Sequence, residues 1–391
     1  MFPVFHARRK LMPRLVLSLA ALWLAACEPV GLANRGPAID VGAPVPVALL
    51  LPGGSGSSGD EVLARSLEQA ARLAMADLEG VEIDLRVYNT GAAPGAAAQA
   101  AVQAVDDGAK VILGPVFAEA ANAAGVAVAS RGVNVLSFSN NTDIAGGNVF
   151  VLGSTFQNTA ARLVGFAASR GKRRIMVVYD QNAAGELGRR AIESAIARSP
   201  ATAAGAMTYE FSQQGVVNAV PGIVSTARSS GADAVFFTAD TAGALPLLAQ
   251  LLPEGGLDKV QTQFIGLTRW DIPPATLSMP GVQGGWFAMP DPGLTAQFQA
   301  RYMGAYGEMP HPIAGLAYDG IAAIGALARA GKSDALTTAA LTQGSGFAGV
   351  NGVFRLRPDG TNERGLAVAQ IQNGQVVVID PAPRSFGGAG L

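Results

Sequence analysis

A chain of 391 residues, 49% hydrophobic and 15% charged, can bury a large core and is long enough for about two domains. A formal charge of −1, with no basic cluster beyond residue 14 except Lys172-Arg173-Arg174, argues against a nucleic-acid-binding face. One cysteine, Cys27, and two histidines, His6 and His311, leave no internal disulfide and no Cys/His zinc site of the usual composition.

The first element is a leader. Arg8, Arg9, Lys10 and Arg14 precede an apolar run at 15–23 that is too short to span a bilayer, and small residues follow it. Leu24-Ala25-Ala26-Cys27 resembles a bacterial lipobox, in which the cysteine is lipidated and becomes the new N-terminus. Residues 1–26 are then a signal peptide, and acyl chains on Cys27 hold the protein to a membrane. By the same resemblance Glu28 after the cysteine points to the outer membrane. Without the leader the net charge is about −5. No later segment is long and apolar enough to cross a membrane.

Residues 27–45 read as an aperiodic tether and 381–391 as a tail. Between them strands alternate with helices. Strands are predicted at 46–51, 81–88, 110–113 and 133–138, with helices at 60–78, 94–106 and 118–130. After a short segment at 149–152 the pattern restarts, with helices at 156–169, 185–197, 217–229 and 243–251. The strands of this second unit lie at 174–179, 207–211, 234–238 and 263–267. A strand at 284–288, helices at 294–306 and 314–330, and a β-rich stretch at 352–379 complete the chain. Such alternation predicts parallel sheets with right-handed crossovers and helices on both faces.

Gly54-Ser55-Gly56-Ser57-Ser58-Gly59 is a G-x-G-x-x-G run between a strand and a helix. It admits three readings: a dinucleotide loop, a loop for another small ligand, or a structural turn. Against the first, the second strand ends in Asn89, where an acid would meet a ribose. G-x-S-x-G, G-x-x-x-x-G-K-[ST] and H-E-x-x-H are absent, and His311 lies in a Pro-His-Pro loop. Asp106, Asp107 and Asp180 are isolated carboxylates. No enzyme, metal or cofactor is indicated.

Val47-Ala-Leu-Leu-Leu-Pro, Val111-Ile-Leu-Gly-Pro115, Val133-Asn-Val-Leu-Ser-Phe-Ser139, Ile175-Met-Val-Val-Tyr-Asp180 and Ala317-Tyr-Asp-Gly-Ile321 together resemble the type I periplasmic binding proteins of the leucine/isoleucine/valine-binding family. The resemblance implies a two-lobed α/β fold with three crossovers and a ligand cleft between the lobes. One lobe would comprise 46–153 plus 284–344, the other 154–283 plus 345–380. Thr268-Arg-Trp-Asp-Ile272 and Gly281-Val-Gln-Gly-Gly-Trp-Phe287 look like the lipoprotein penicillin-binding protein activators. Trp270, Trp286 and Phe287 either meet a partner or pack a hinge.

These resemblances imply two functions. The first is a non-catalytic envelope lipoprotein that regulates peptidoglycan synthesis, with a penicillin-binding protein as partner. The second is the substrate-binding protein of an amino-acid-type ABC transporter, with a permease as partner. Carried over from the family, the cleft positions are Ala118 and Asn141 where hydroxyls are usual, Ala184 where an aromatic is usual, and Arg269 where an acid usually receives the ligand ammonium. An uncompensated Arg269 would oppose leucine-type ligands. Ser55, Ser57, Ser139, Asn140, Asn141, Asp180, Arg269 and Trp270 each follow a predicted strand and are expected to line one cleft for a small polar ligand, anionic or sugar-like. Asp319 is expected to be structural, complementing a helix dipole.

Overall fold

The computed structural model describes residues 36–386. Cys27 and the leader lie outside them. The first sheet takes β1 (Val45–Leu51), β2 (Ile83–Asn89), β3 (Val111–Leu113), β4 (Asn134–Ser137) and β5 (Val149–Val151). Its order is β2-β1-β3-β4-β5, every pairing parallel. Helices α1 (Ser58–Ala76), α2 (Pro94–Asp106) and α3 (Ala118–Val128) make the crossovers. Covered on both faces, β1 is a nearly continuous apolar run rather than an alternating one. Leu49 and Leu51 face α1, whereas Ala48 and Leu50 face the alanine-rich α2 and α3.

The second sheet begins after α4 (Phe156–Ser169). It takes β6 (Arg174–Asp180), β7 (Thr202–Tyr209), β8 (Ala234–Phe237), β9 (Gln263–Gly266) and β10 (Trp286–Met289), linked by α5 (Ala183–Ala197), α6 (Gln213–Ser230) and α7 (Leu245–Glu254). The chain then returns to the first lobe as α8 (Pro292–Tyr306), α9 (Gly315–Arg329) and the short α10 (Thr338–Leu341). A small antiparallel sheet, β11 (Phe347–Gly349), β12 (Gly352–Leu356) and β13 (Asn362–Arg364), follows. Finally β14 (Ala367–Gln372) and β15 (Gln375–Asp380) join the second sheet, whose order is β15-β14-β10-β9-β8-β6-β7. Helix entries are capped where the sequence supplies a side chain: Ser57, Thr155, Asn182, Ser212 and Asp291 each accept a first-turn N–H.

The fold is the expected two-lobed α/β architecture with three crossovers, but four boundaries differ. Residues 284–288 read as first-lobe strand, yet β10 pairs with β9 and β14 in the second sheet. Phe347, Phe354 and Leu356, placed in the second lobe by sequence, pack in the first-lobe core, so the second lobe resumes only at Leu366. The tether ends before residue 39, because Ile39 is buried in the first lobe and its N–H bonds Ser333 O at 2.8 Å. The tail starts later than 381: Ala382 is buried in the second-lobe core, and Arg355 stacks 4.7 Å from the Phe386 ring centroid. Short strands and termini carry too few residues to show periodicity, so only their partners reveal where they belong.

The first lobe's helical layer is tied by Asp77, at the end of α1, which accepts from Arg301 of α8 and Tyr318 of α9. Burial pushes the Asp77 carboxyl up, but those two hydrogen bonds outweigh it and hold it below its ordinary value. Glu363 follows the same pattern, with Arg355 and Arg357 overcoming its burial. A depressed folded pKa contributes stability above the unfolded value of about 4 and loses it as pH falls through the folded value. Urea midpoints should therefore drop between about pH 5 and pH 3, and drop less in an Asp77→Asn variant.

Candidate functional site

The first crossover leaves the C-terminal end of β5 and reaches the N-terminus of α4 within a few residues, and the second leaves the C-terminal end of β10. The C-terminal edges of both sheets therefore adjoin one junction between the lobes, the place where open α/β sheets bind ligands.

On the first lobe's edge, the glycine run forms the turn into α1. Ser57 is the helix N-cap, Ser55 Oγ donates to Asp60 Oδ2 at 2.7 Å, and the Gly54 N–H bonds Glu61 Oε1 at 2.7 Å. Two of the chain's own carboxylates thus sit where a pyrophosphate would have to sit, which rules against the dinucleotide reading. Ala118 opens α3 with no side-chain cap. After β4, Ser139 is buried and its Oγ accepts the Asn141 N–H at 3.1 Å; the Asn141 Oδ1 accepts from Asp143 N, and Asn140 is exposed. Ser55, Ser57, Ala118, Ser139, Asn140 and Asn141 thus follow β1, β3 and β4, which are neighbours in the sheet.

On the second lobe's edge, Asp180 ends β6 and is buried in a polar knot. It accepts from Tyr209 at the end of β7 and from Thr238 Oγ1, just past β8, at 3.1 Å. Burial and the Asp180 carboxylate raise the Tyr209 phenol well above its ordinary pKa, so it stays a donor. Ala184 is exposed at the start of α5. Arg269 is not an uncompensated cation: its guanidinium makes a fork with Asp271, whose side chain is only 11% exposed. The partner stands at i, i+2 in the sequence, the one local signal of this pairing.

Trp270 does not line a cleft. It is fully buried in the second-lobe core, 6.3 Å from the Phe237 ring and between the backbones of Gly266 and Gly285. A Cβ on either glycine would lie 2.1 Å from the indole, so glycine is required at both positions. Those glycines, spaced around the tryptophan, were the sequence signal for packing. Trp286 likewise packs edge-on against Phe166 at 4.9 Å, and Phe287 is core.

Asp319 is structural for a different reason from the helix dipole. Fully buried in α9, it pairs with Arg364 at 3.0 Å and accepts from Val350 N and Asn351 Nδ2. A hollow of about 710 Å³ beside the crossovers is lined by four arginines, of which Arg162, Arg357 and Arg364 pair with Asp380, Glu363 and Asp319 respectively, the fourth being Arg198.

A model of the periplasmic binding protein family matches residues 44–375. The chain belongs to this family. No curated protein sequence matches the chain. Among solved binding-protein structures, a putative branched-chain amino acid ABC transporter protein from Rhodospirillum rubrum is 18% identical, covering 86% of this chain and all of its own, with a TM-score of 0.71. A substrate-binding protein from Desulfitobacterium hafniense in complex with Leu is 18% identical over 86% of this chain and all of its own, with a TM-score of 0.62. A solute-binding protein from Rhodopseudomonas palustris in complex with 3,4-dihydroxybenzoic acid is 19% identical over 88% of this chain and 98% of its own, with a TM-score of 0.56. At these identities the likeness is one of fold, and the family is a solute-binding, non-catalytic one.

The basic charge on this binding-protein scaffold is segregated along the strand direction, whereas acids stand at both ends, with Glu82, Asp84, Asp107 and Asp233 at the N-terminal one. Turns and first helical turns after β1–β5 carry Asp60, Glu61, Glu119 and Asp143; the end of β6 and the turns and first helical turns after β6–β10 carry Asp180, Glu186, Glu210, Asp240, Asp271 and Asp291. Arg269 is the single base in those segments, and Asp271 neutralises it. Lys110, Arg131, Arg173 and Arg174 lie at the opposite, N-terminal strand ends. Some of the acids offset helix dipoles, as Glu119 does in α3. The sum is still an acidic junction, contrary to the expectation of an anionic ligand.

Proposed function

We propose that the protein is the ligand-capturing component of an ABC importer and that its ligand is a small polar molecule bearing a cationic group. The acidic edge around the lobe junction carries this reading, because ten carboxylates against one paired arginine attract a cation and repel an anion. The family's solute-binding character and the ABC transporter membership of the solved relatives support the importer over the regulator of cell-wall synthesis. The tryptophan motif that suggested a peptidoglycan synthase as partner is accounted for by packing in the second-lobe core. Export to the periplasm, with an acyl anchor on Cys27, fits such a component and belongs to the same proposal.

Calorimetry of the ligand-free protein against arginine, putrescine, leucine and benzoate tests this. Arginine or the diamine should bind more tightly than leucine, and benzoate should not bind. Asp271→Asn, which leaves Arg269 without its partner, should weaken the cation about tenfold, or ~1.4 kcal/mol. Preferential binding of benzoate would overturn the assignment of ligand class.

A further inference from the structure

The mechanical boundary between the lobes is narrower than the crossovers themselves. Asn362 Nδ2 donates to Val151 O at 2.6 Å and to Gly153 O at 2.8 Å, and Arg364 Nε donates to Leu152 O at 2.8 Å. Arg364 is in turn fixed to Asp319 of α9, and the Gly365 N–H bonds Val353 O of β12 at 2.8 Å. Residues 151–153 and 362–365 therefore move with the first lobe. On the other side, Arg162 of α4 donates to Leu366 O at 2.7 Å and pairs with Asp380 of β15, so the second lobe begins at Leu366. Rotation of one lobe against the other is left to residues 154–155, 290–291 and the 365–366 bond.

Two side chains of α4 cross this boundary from the second lobe: Gln157, whose Nε2 donates to Thr142 Oγ1 at 3.2 Å, and Asn158, which bridges it with both ends of its amide. Asn158, in the first turn of α4 and 8% exposed, donates through Nδ2 to Asn362 Oδ1 at 2.6 Å and accepts the Arg364 N–H on Oδ1 at 3.1 Å. Its other amide hydrogen goes to Thr155 Oγ1 at 2.9 Å, within its own helix cap. The two cross-boundary bonds depend on the tilt of α4 over β13, so any lobe rotation lengthens them beyond hydrogen-bonding range. The amide is buried but borders the hollow beside the crossovers, so water can take over part of the lost bonding and release costs about the net worth of the two hydrogen bonds.

We infer that Asn158 is a latch: its amide holds the lobe arrangement seen here and must release Asn362 and Arg364 when the lobes rotate. It is a positioning residue that sets the balance between two lobe arrangements and, through that balance, the apparent affinity for any ligand favouring one of them. The inference stands independently of the ligand class.

The test uses small-angle scattering and amide hydrogen exchange on the ligand-free protein. Asn158→Ala should broaden the scattering-derived distance distribution and speed exchange at residues 152–155 and 364–367 by about tenfold, a loosening of ~1.4 kcal/mol. Asn158→Asp, which keeps the acceptor for Arg364 and loses the donor to Asn362, should give an intermediate result and remains readable if the alanine variant folds poorly. Ser212→Ala removes a helix cap within the second lobe and away from the boundary, so it should lower the melting temperature without altering scattering. Unchanged scattering and hinge exchange in both Asn158 variants, with only a lower melting temperature, would overturn the latch.

Discussion

Replacing Arg364 with methionine should lower the free energy of unfolding by about 3–5 kcal/mol, measured by urea denaturation. The reason is the state in which it leaves Asp319. With side chains 3% and 0% exposed, the pair sits out of water, and removing the guanidinium strands a carboxylate that keeps only Val350 N and Asn351 as donors. The carbonyl of Leu152 loses its donor at the same time. A double variant, Asp319→Leu with Arg364→Met, removes both charges and should recover much of the loss, because the cost lies in the orphaned charge more than in the missing attraction. A loss below about 1 kcal/mol in the single variant, the size of an exposed pair, would show that the site admits water.

Trp270→Ala should cost a similar amount, about 3–5 kcal/mol, through the cavity left against Phe237, Gly266 and Gly285. The consequence for binding separates packing from ligand contact. Trp270→Phe keeps most of the volume and should retain ligand affinity within about 0.5 kcal/mol while still lowering stability. If Trp270→Phe abolished binding in a protein that still unfolds cooperatively, the indole would have to reach the ligand, contrary to its complete burial.

These two residues also mark where reading from sequence succeeded and where it stopped. The helix at 94–106 and the one at 156–169 were legible to the residue, because a proline start in one and a threonine cap in the other coincide with a change from strand to helical periodicity. Asp319 was recognised as structural, but its partner lies 45 residues away on a strand of three residues, and no local pattern announces that contact. Arg269 reads as a lone cation at its family position, and only the fold brings the Asp271 carboxylate onto its guanidinium.

By itself the sequence determined the alternation of strands and helices, and with it the parallel pairing within each lobe and crossovers on both faces. Those properties follow from periodicity, capping and chirality, which act within a few residues and are written locally. Tertiary structure alone decided that β10 belongs to the second sheet, that β11–β13 belong with the first lobe, that Trp270 is core and that Asn158 crosses the lobe boundary. Each of these is a choice of partner across a large separation in the chain. Short apolar strands and buried polar side chains have many admissible partners, and only the packing of the whole chain selects one.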